Sequence, residues 1–106
     1  MAHTQNDINN LVAILRVGRA NAQTAYAIER QLNQQHGFPI TGNQVVARGL
    51  ISFAIQHGHL IKSSTANPAG YWIENNPYEI RRYVQSLRRR AQKINDRANN
   101  LEANLE

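Results

Sequence analysis

The side chains able to do chemistry are few, and they are poorly grouped for it. His57 and His59 flank Gly58, and His36 is the third imidazole that could join them as a metal ligand. The glycine break gives the two neighbours different geometries, and no carboxylate stands near them in sequence. Helix termination accounts for His57 better than a metal does, so neither a metal nor a cofactor is expected. Ser63-Ser64 has no base beside it, and Asp7, Asp96 and the five glutamates form no pair suited to acid–base work. There is no glycine-rich phosphate loop. The absence of cysteine removes disulfides, thiolate metal sites and cysteine nucleophiles. The chain is therefore not expected to be an enzyme. What remains is recognition chemistry: amides that pair with adenine edges, and arginines that pair with guanine or with phosphate.

The charge is placed unevenly. The 106 residues carry 12 Lys+Arg against 7 Asp+Glu, a net +5, and 22 Asn and Gln. Residues 1–79 hold five bases and four acids, whereas residues 80–106 hold seven bases and three acids, so most of the excess sits on the last quarter. Thirteen of the hydrophobic residues are Ala, which leaves a modest core and favours burial against a partner. No apolar run approaches the roughly 18 residues of a membrane helix. Met1-Ala2-His3-Thr4-Gln5-Asn6-Asp7 has neither the basic nor the apolar part of a signal peptide. A protein of the bacterial host cytoplasm, away from membranes, is expected.

The elements that must position these groups follow from spacing and stop signals. Ile8, Leu11, Val12 and Leu15 predict a first helix from Asp7 to about Val17, ended by Gly18. Thr24 caps a second helix running to about Gln35, and His36-Gly37-Phe38-Pro39 forms a turn. Thr41-Gly42-Asn43-Gln44 reads as a capping box opening a third helix, with Val46, Leu50, Phe53 and Ala54 as its buried stripe and His57-Gly58 as its stop. Leu60-Ile61-Lys62 and Tyr71-Trp72-Ile73 predict a hairpin with an eight-residue tip. Tyr71 and Trp72 alternate on it, one for the core and one partly exposed. Asn76-Pro77-Tyr78-Glu79 starts a last helix of roughly 28 residues, about 42 Å long. The expected fold is mainly α with a small β-hairpin: a winged helix-turn-helix head over 1–75 and a long C-terminal dimerisation helix over 76–106.

Three segments carry a resemblance. They are Gly18-Arg19-Ala20-Asn21-Ala22-Gln23-Thr24-Ala25; the wing pair His57-Gly58-His59-Leu60-Ile61-Lys62-Ser63-Ser64 and Gly70-Tyr71-Trp72-Ile73; and the arginine-rich Tyr78-Glu79-Ile80-Arg81-Arg82-Tyr83-Val84-Gln85-Ser86-Leu87-Arg88-Arg89-Arg90-Ala91. Over most of residues 18–98 the sequence resembles small winged helix-turn-helix proteins of phages and prophages that have an arginine-rich C-terminal helix. The resemblance implies a DNA-binding regulator or a replication-associated protein. One departure is plain: the third helix of such proteins is rich in Arg and Lys, and here it holds only Arg48.

Placed on that plan, the candidate base-reading residues of the third helix are Thr41, Asn43, Gln44, Ala47 and Arg48, with Ala47 offered to a thymine methyl. Lys62, Ser63, Ser64, Thr65 and Asn67 are the candidate wing contacts to phosphate or minor groove. Arg81, Arg82, Arg88 and Arg89 form one basic stripe on the last helix, and Arg90, Lys93 and Arg97 another, suited to tracking phosphates. Ile80, Val84, Leu87, Ala91, Ile94, Ala98, Leu101 and Leu105 alternate at spacings of four and three, an unbroken heptad seam for a homodimeric coiled coil. The leading expectation is sequence-specific binding of double-stranded DNA by a homodimer that regulates transcription for a phage or mobile element. The rival is a phage-encoded inhibitor, of the anti-CRISPR type, that binds a host defence protein or nucleoprotein. The salt dependence of binding to random DNA separates the two.

Overall fold

The computed structural model describes residues 3–105. Its elements are α1 (Gln5–Ile14), a single 3-10 turn (Arg19–Asn21), α2 (Ala25–His36), α3 (Val45–Gln56), β1 (Ile61–Ser64), β2 (Gly70–Ile73) and α4 (Pro77–Ala103). The chain is thus mainly helical, with one small antiparallel hairpin and a long C-terminal helix. It divides into two compact units, Met1–Asn75 and Asn76–Glu106.

In the first unit α1, α2 and α3 pack on one another. Ile8, Leu11 and Ile14 of α1, Ile28 and Leu32 of α2, and Leu50, Ile51 and Ala54 of α3 form the core, which Ile61 of β1 joins. α1 begins earlier than its apolar spacing predicts. Thr4 Oγ1 accepts from the Asp7 amide at 3.1 Å and Asp7 Oδ2 accepts from the Thr4 amide at 3.0 Å, a reciprocal cap. It also ends earlier, at Ile14 rather than near Val17, because Leu15 turns extended and the following residues are recruited to the hairpin. The Ile73 amide donates to Arg16 O and the Gly18 amide to Ile73 O, while Gln23 and Tyr71 exchange two backbone bonds at 2.7 and 3.0 Å. Residues 16–23 therefore lie along the free edge of β2 and satisfy it. Gly70 is required at that contact. Its φ of +129° suits glycine, and a Cβ there would run into the Gln23 carbonyl.

The α2 boundaries agree with the reading from Thr24 and Gly37: Thr24 Oγ1 accepts from the Ala27 amide, and Gly37 takes the left-handed conformation. β1 and β2 pair in the register Ile61 with Ile73 and Lys62 with Trp72. They extend further than expected, so the tip is the five residues 65–69 instead of eight. In the second unit, Asn76 Oδ1 accepts from the Tyr78 amide, Pro77 opens the helix, and neither Pro nor Gly interrupts it for 27 residues, about 40 Å. Among the described residues, no helix is long and apolar enough to cross a membrane.

Candidate nucleic-acid interface

The approach to α3 is built around one buried acid. Glu29 on α2 is only 1% exposed. Its Oε1 accepts from both the Thr41 amide (2.7 Å) and the Thr41 hydroxyl (2.6 Å), and Thr41 Oγ1 in turn accepts from the Val45 amide at 2.9 Å. Glu29 Oε2 has no hydrogen-bond partner. This arrangement replaces the predicted capping box. Gln44, not Thr41, is the residue before the helix, in a left-handed conformation (φ 53°) with no side-chain cap. Gln44 Nε2 lies 3.4 Å from the Gly42 carbonyl instead. Thr41 is therefore an internal strut. A hydroxyl so engaged is not the base-reading group proposed from the sequence.

The buried face of α3 also differs from the expected one. The buried side is Ala47, Leu50, Ile51 and Ala54, whereas Val46 and Phe53, expected inside, are only half-buried. Ala47 has no exposed surface at all. Its methyl belongs to the core and cannot reach a thymine, which corrects the sequence reading of that residue. The outward stripe is instead Val45, Arg48, Ser52 and Ile55, at spacings of three, four and three. Arg48 is exposed, and its Nε donates to the Asn43 carbonyl at 3.2 Å, fixing the start of the guanidinium. Asn43 is exposed beside it. Sequence periodicity missed Val45, Ser52 and Ile55 because it put Val46 and Phe53 inside in place of Ala47 and Ile51, while Leu50 and Ala54 are buried as expected.

At the hairpin, Lys62, Ser63 and Ser64 lie within β1 and are half-buried, while Thr65 and Asn67 are exposed at the tip. The Asn67–Pro68 peptide bond is cis. Trp72 is the core aromatic of the pair, and its Nε1 donates to Glu74 Oε1 at 3.0 Å. Two cations stand over its ring: Arg19 at 5.9 Å and Lys62 at 5.8 Å from the centroid. Arg19 Nη2 also donates to Ser64 Oγ at 3.3 Å. Arg19, absent from the sequence-derived site, thus belongs to the wing. No local signal marks it, since the contact joins residues 45 apart.

Beside the first turn of α3 lies a cavity of about 450 Å³ whose lining includes His3, Asp7, His36, Phe38, Val45 and Gly49. Among the described residues no group of three or more His or carboxylate side chains could hold a metal ion.

On α4 all seven bases, Arg81, Arg82, Arg88, Arg89, Arg90, Lys93 and Arg97, are exposed. Glu79 approaches Arg82 at 3.7 Å, and Arg82 lies over the Tyr78 ring. In heptad terms Arg81 and Arg88 flank one side of the seam and Arg90 and Arg97 the other, while Arg82 and Arg89 point away from it. No residue of α4 is fully buried. Ile80 and Val84 are half-buried, and exposure of the large seam residues rises from 40% at Leu87 to 74% at Leu105.

No family model, curated protein or solved structure matches this chain. The functional reading therefore rests on these two units and their surfaces.

Proposed function

We propose that the protein binds double-stranded DNA sequence-specifically as a homodimer, and that it serves transcriptional control of a phage or mobile element. The observation that carries this reading is the exposed Asn43–Arg48 pair where the chain enters α3. Asn43 and Arg48 are exposed there, joined to each other, and held on a turn clamped by Glu29. In a helix-turn-helix the first turns of the third helix enter the major groove. The Nη fork of Arg48 suits guanine O6 and N7, and the Asn43 or Gln44 amide suits adenine. Arg19, Lys62, Thr65 and Asn67 would meet phosphates from the wing, and the bases of α4 would add phosphate contacts of their own. This supplies the charge that α3, with one cation, lacks.

One observation favours a second reading, a host protein or nucleoprotein as the target. Val45 and Ile55, on the same stripe as Arg48, are 62% and 48% exposed. Apolar residues ringed by polar ones also suit a protein interface.

Enrichment from a pool of randomised duplexes, followed by titrations at several salt concentrations, tests both. Arg48→Ala should cost about 1–3 kcal/mol on the enriched duplex and relax preference at one position. Arg88→Ala should weaken enriched and random duplexes alike and shallow the salt slope by about one unit. Absence of binding to any duplex at low salt would retire the DNA reading in favour of the protein partner.

A further inference from the structure

The apolar seam of α4 runs the length of the helix and grows more exposed towards its end. Its composition is asymmetric in a telling way. One core position holds Ile80, Leu87, Ile94 and Leu101; the other holds Val84, Ala91, Ala98 and Leu105. A parallel, in-register pair would set Ala91 against Ala91 and Ala98 against Ala98. That leaves two narrow layers between the wide layers of Leu87, Ile94 and Leu101, where knobs lack holes of matching size.

Turned antiparallel, the same seam is complementary to itself. With Ile80 opposite the partner's Leu105, Val84 meets the partner's Leu101, Ala91 meets the partner's Ile94, and Ala98 meets the partner's Leu87. Each alanine then faces a large residue, no layer is left with two alanines, and all eight seam positions are covered. On one flank Arg81 comes opposite the partner's Glu102, twice by symmetry. On the other flank Arg90 comes opposite the partner's Arg97, a like-charge contact. Exposed charge pairs weigh little against the filling of core layers, so layer volume decides the orientation.

We infer that α4 pairs with α4 of a second copy, antiparallel and in full overlap, through Ile80, Val84, Leu87, Ala91, Ile94 and the residues that continue the seam. The inference rests on the homodimer part of the proposed function and not on DNA as the ligand.

The chain contains no cysteine, so single cysteines report orientation without background. Leu87→Cys and Ala98→Cys proteins, mixed in a glutathione buffer, should form the mixed 87–98 disulfide. Neither should cross-link alone, since like positions lie about 16 Å apart in the antiparallel pair, far beyond disulfide reach. Cross-linking of each variant to itself would show a parallel pair and overturn the inference. Arg81→Cys with Glu102→Cys repeats the test outside the seam, where the core layers stay intact. Wild-type protein sedimenting as a monomer, or as a dimer in which neither mixture cross-links, also overturns it. Titration of the same wild-type protein with random duplex stands apart: a monomer that binds DNA overturns the pairing alone, and an antiparallel dimer that binds none overturns the DNA reading alone.

Discussion

The Glu29–Thr41 clamp is the point where a small change should have the largest effect on the head. Thr41→Val keeps the shape of the side chain and removes only its hydroxyl, so no cavity opens and the loss is one of hydrogen bonding. Two bonds disappear: the 2.6 Å donation to Glu29 Oε1 and the 2.9 Å acceptance from the Val45 amide. The first is charge-assisted and sits against a buried acid, where such a bond contributes roughly 1.5–3 kcal/mol. The second acts as a helix cap, worth about 1 kcal/mol, and part of it returns when water reaches the exposed Val45. Together they predict a loss of about 2–4 kcal/mol in urea unfolding followed by Trp72 fluorescence. For a head of this size that corresponds to a fall in Tm of roughly 10–20 °C. Thr65→Val, on the exposed tip of the hairpin, is the matched control and should stay within about 0.5 kcal/mol of wild type. A double-mutant cycle with Glu29→Gln isolates the pair, because only coupled residues give a non-zero interaction energy. If Thr41→Val cost no more than Thr65→Val, the clamp would be geometry without energetic weight, and the account of how α3 is held would be wrong.

Gly70→Ala should cost about 2–4 kcal/mol, since the new Cβ meets the Gln23 carbonyl at a φ of +129°, whereas Gly42→Ala, with open space around its Cβ, should be near neutral. Urea unfolding of the two variants side by side checks this, and equal costs would refute the close approach of residues 16–23 to β2. Leu87→Asp with Ile94→Asp should give monomers by light scattering while the head unfolds at its usual urea concentration, because the seam residues it alters are exposed and lie outside the core of the first unit. Loss of head stability in that double variant would mean that the seam is needed by the first unit and is not reserved for a partner.

Much of the architecture could be read from short-range patterns. Thr24 and Asn76-Pro77 announced helix starts, Gly37 and Gly58 announced stops, and the four-three spacing from Ile80 to Leu105 announced a seam on a helix that runs to Ala103. These signals are local because a helix is bonded within four residues and its caps within three. Tertiary contacts decided the rest. Glu29 reaches 12 residues forward to Thr41, α3 starts only at Val45, and Ala47 lies in the core. Ala47 thereby leaves the expected base-reading set, and Val45, Arg48, Ser52 and Ile55 form the outward stripe of α3. Residues 16–23, which have no alternating pattern of their own, become an edge partner because β2 presents unpaired backbone groups that must be satisfied. Arg19 joins the wing across 45 residues for the same reason: the hairpin brings Trp72 and Ser64 to where the 3-10 turn already lies. A helical period fixes which residues share a face to within one position. Which way that face turns is set by packing across the core, where Ala47, Leu50, Ile51 and Ala54 meet the apolar side chains of α1 and α2.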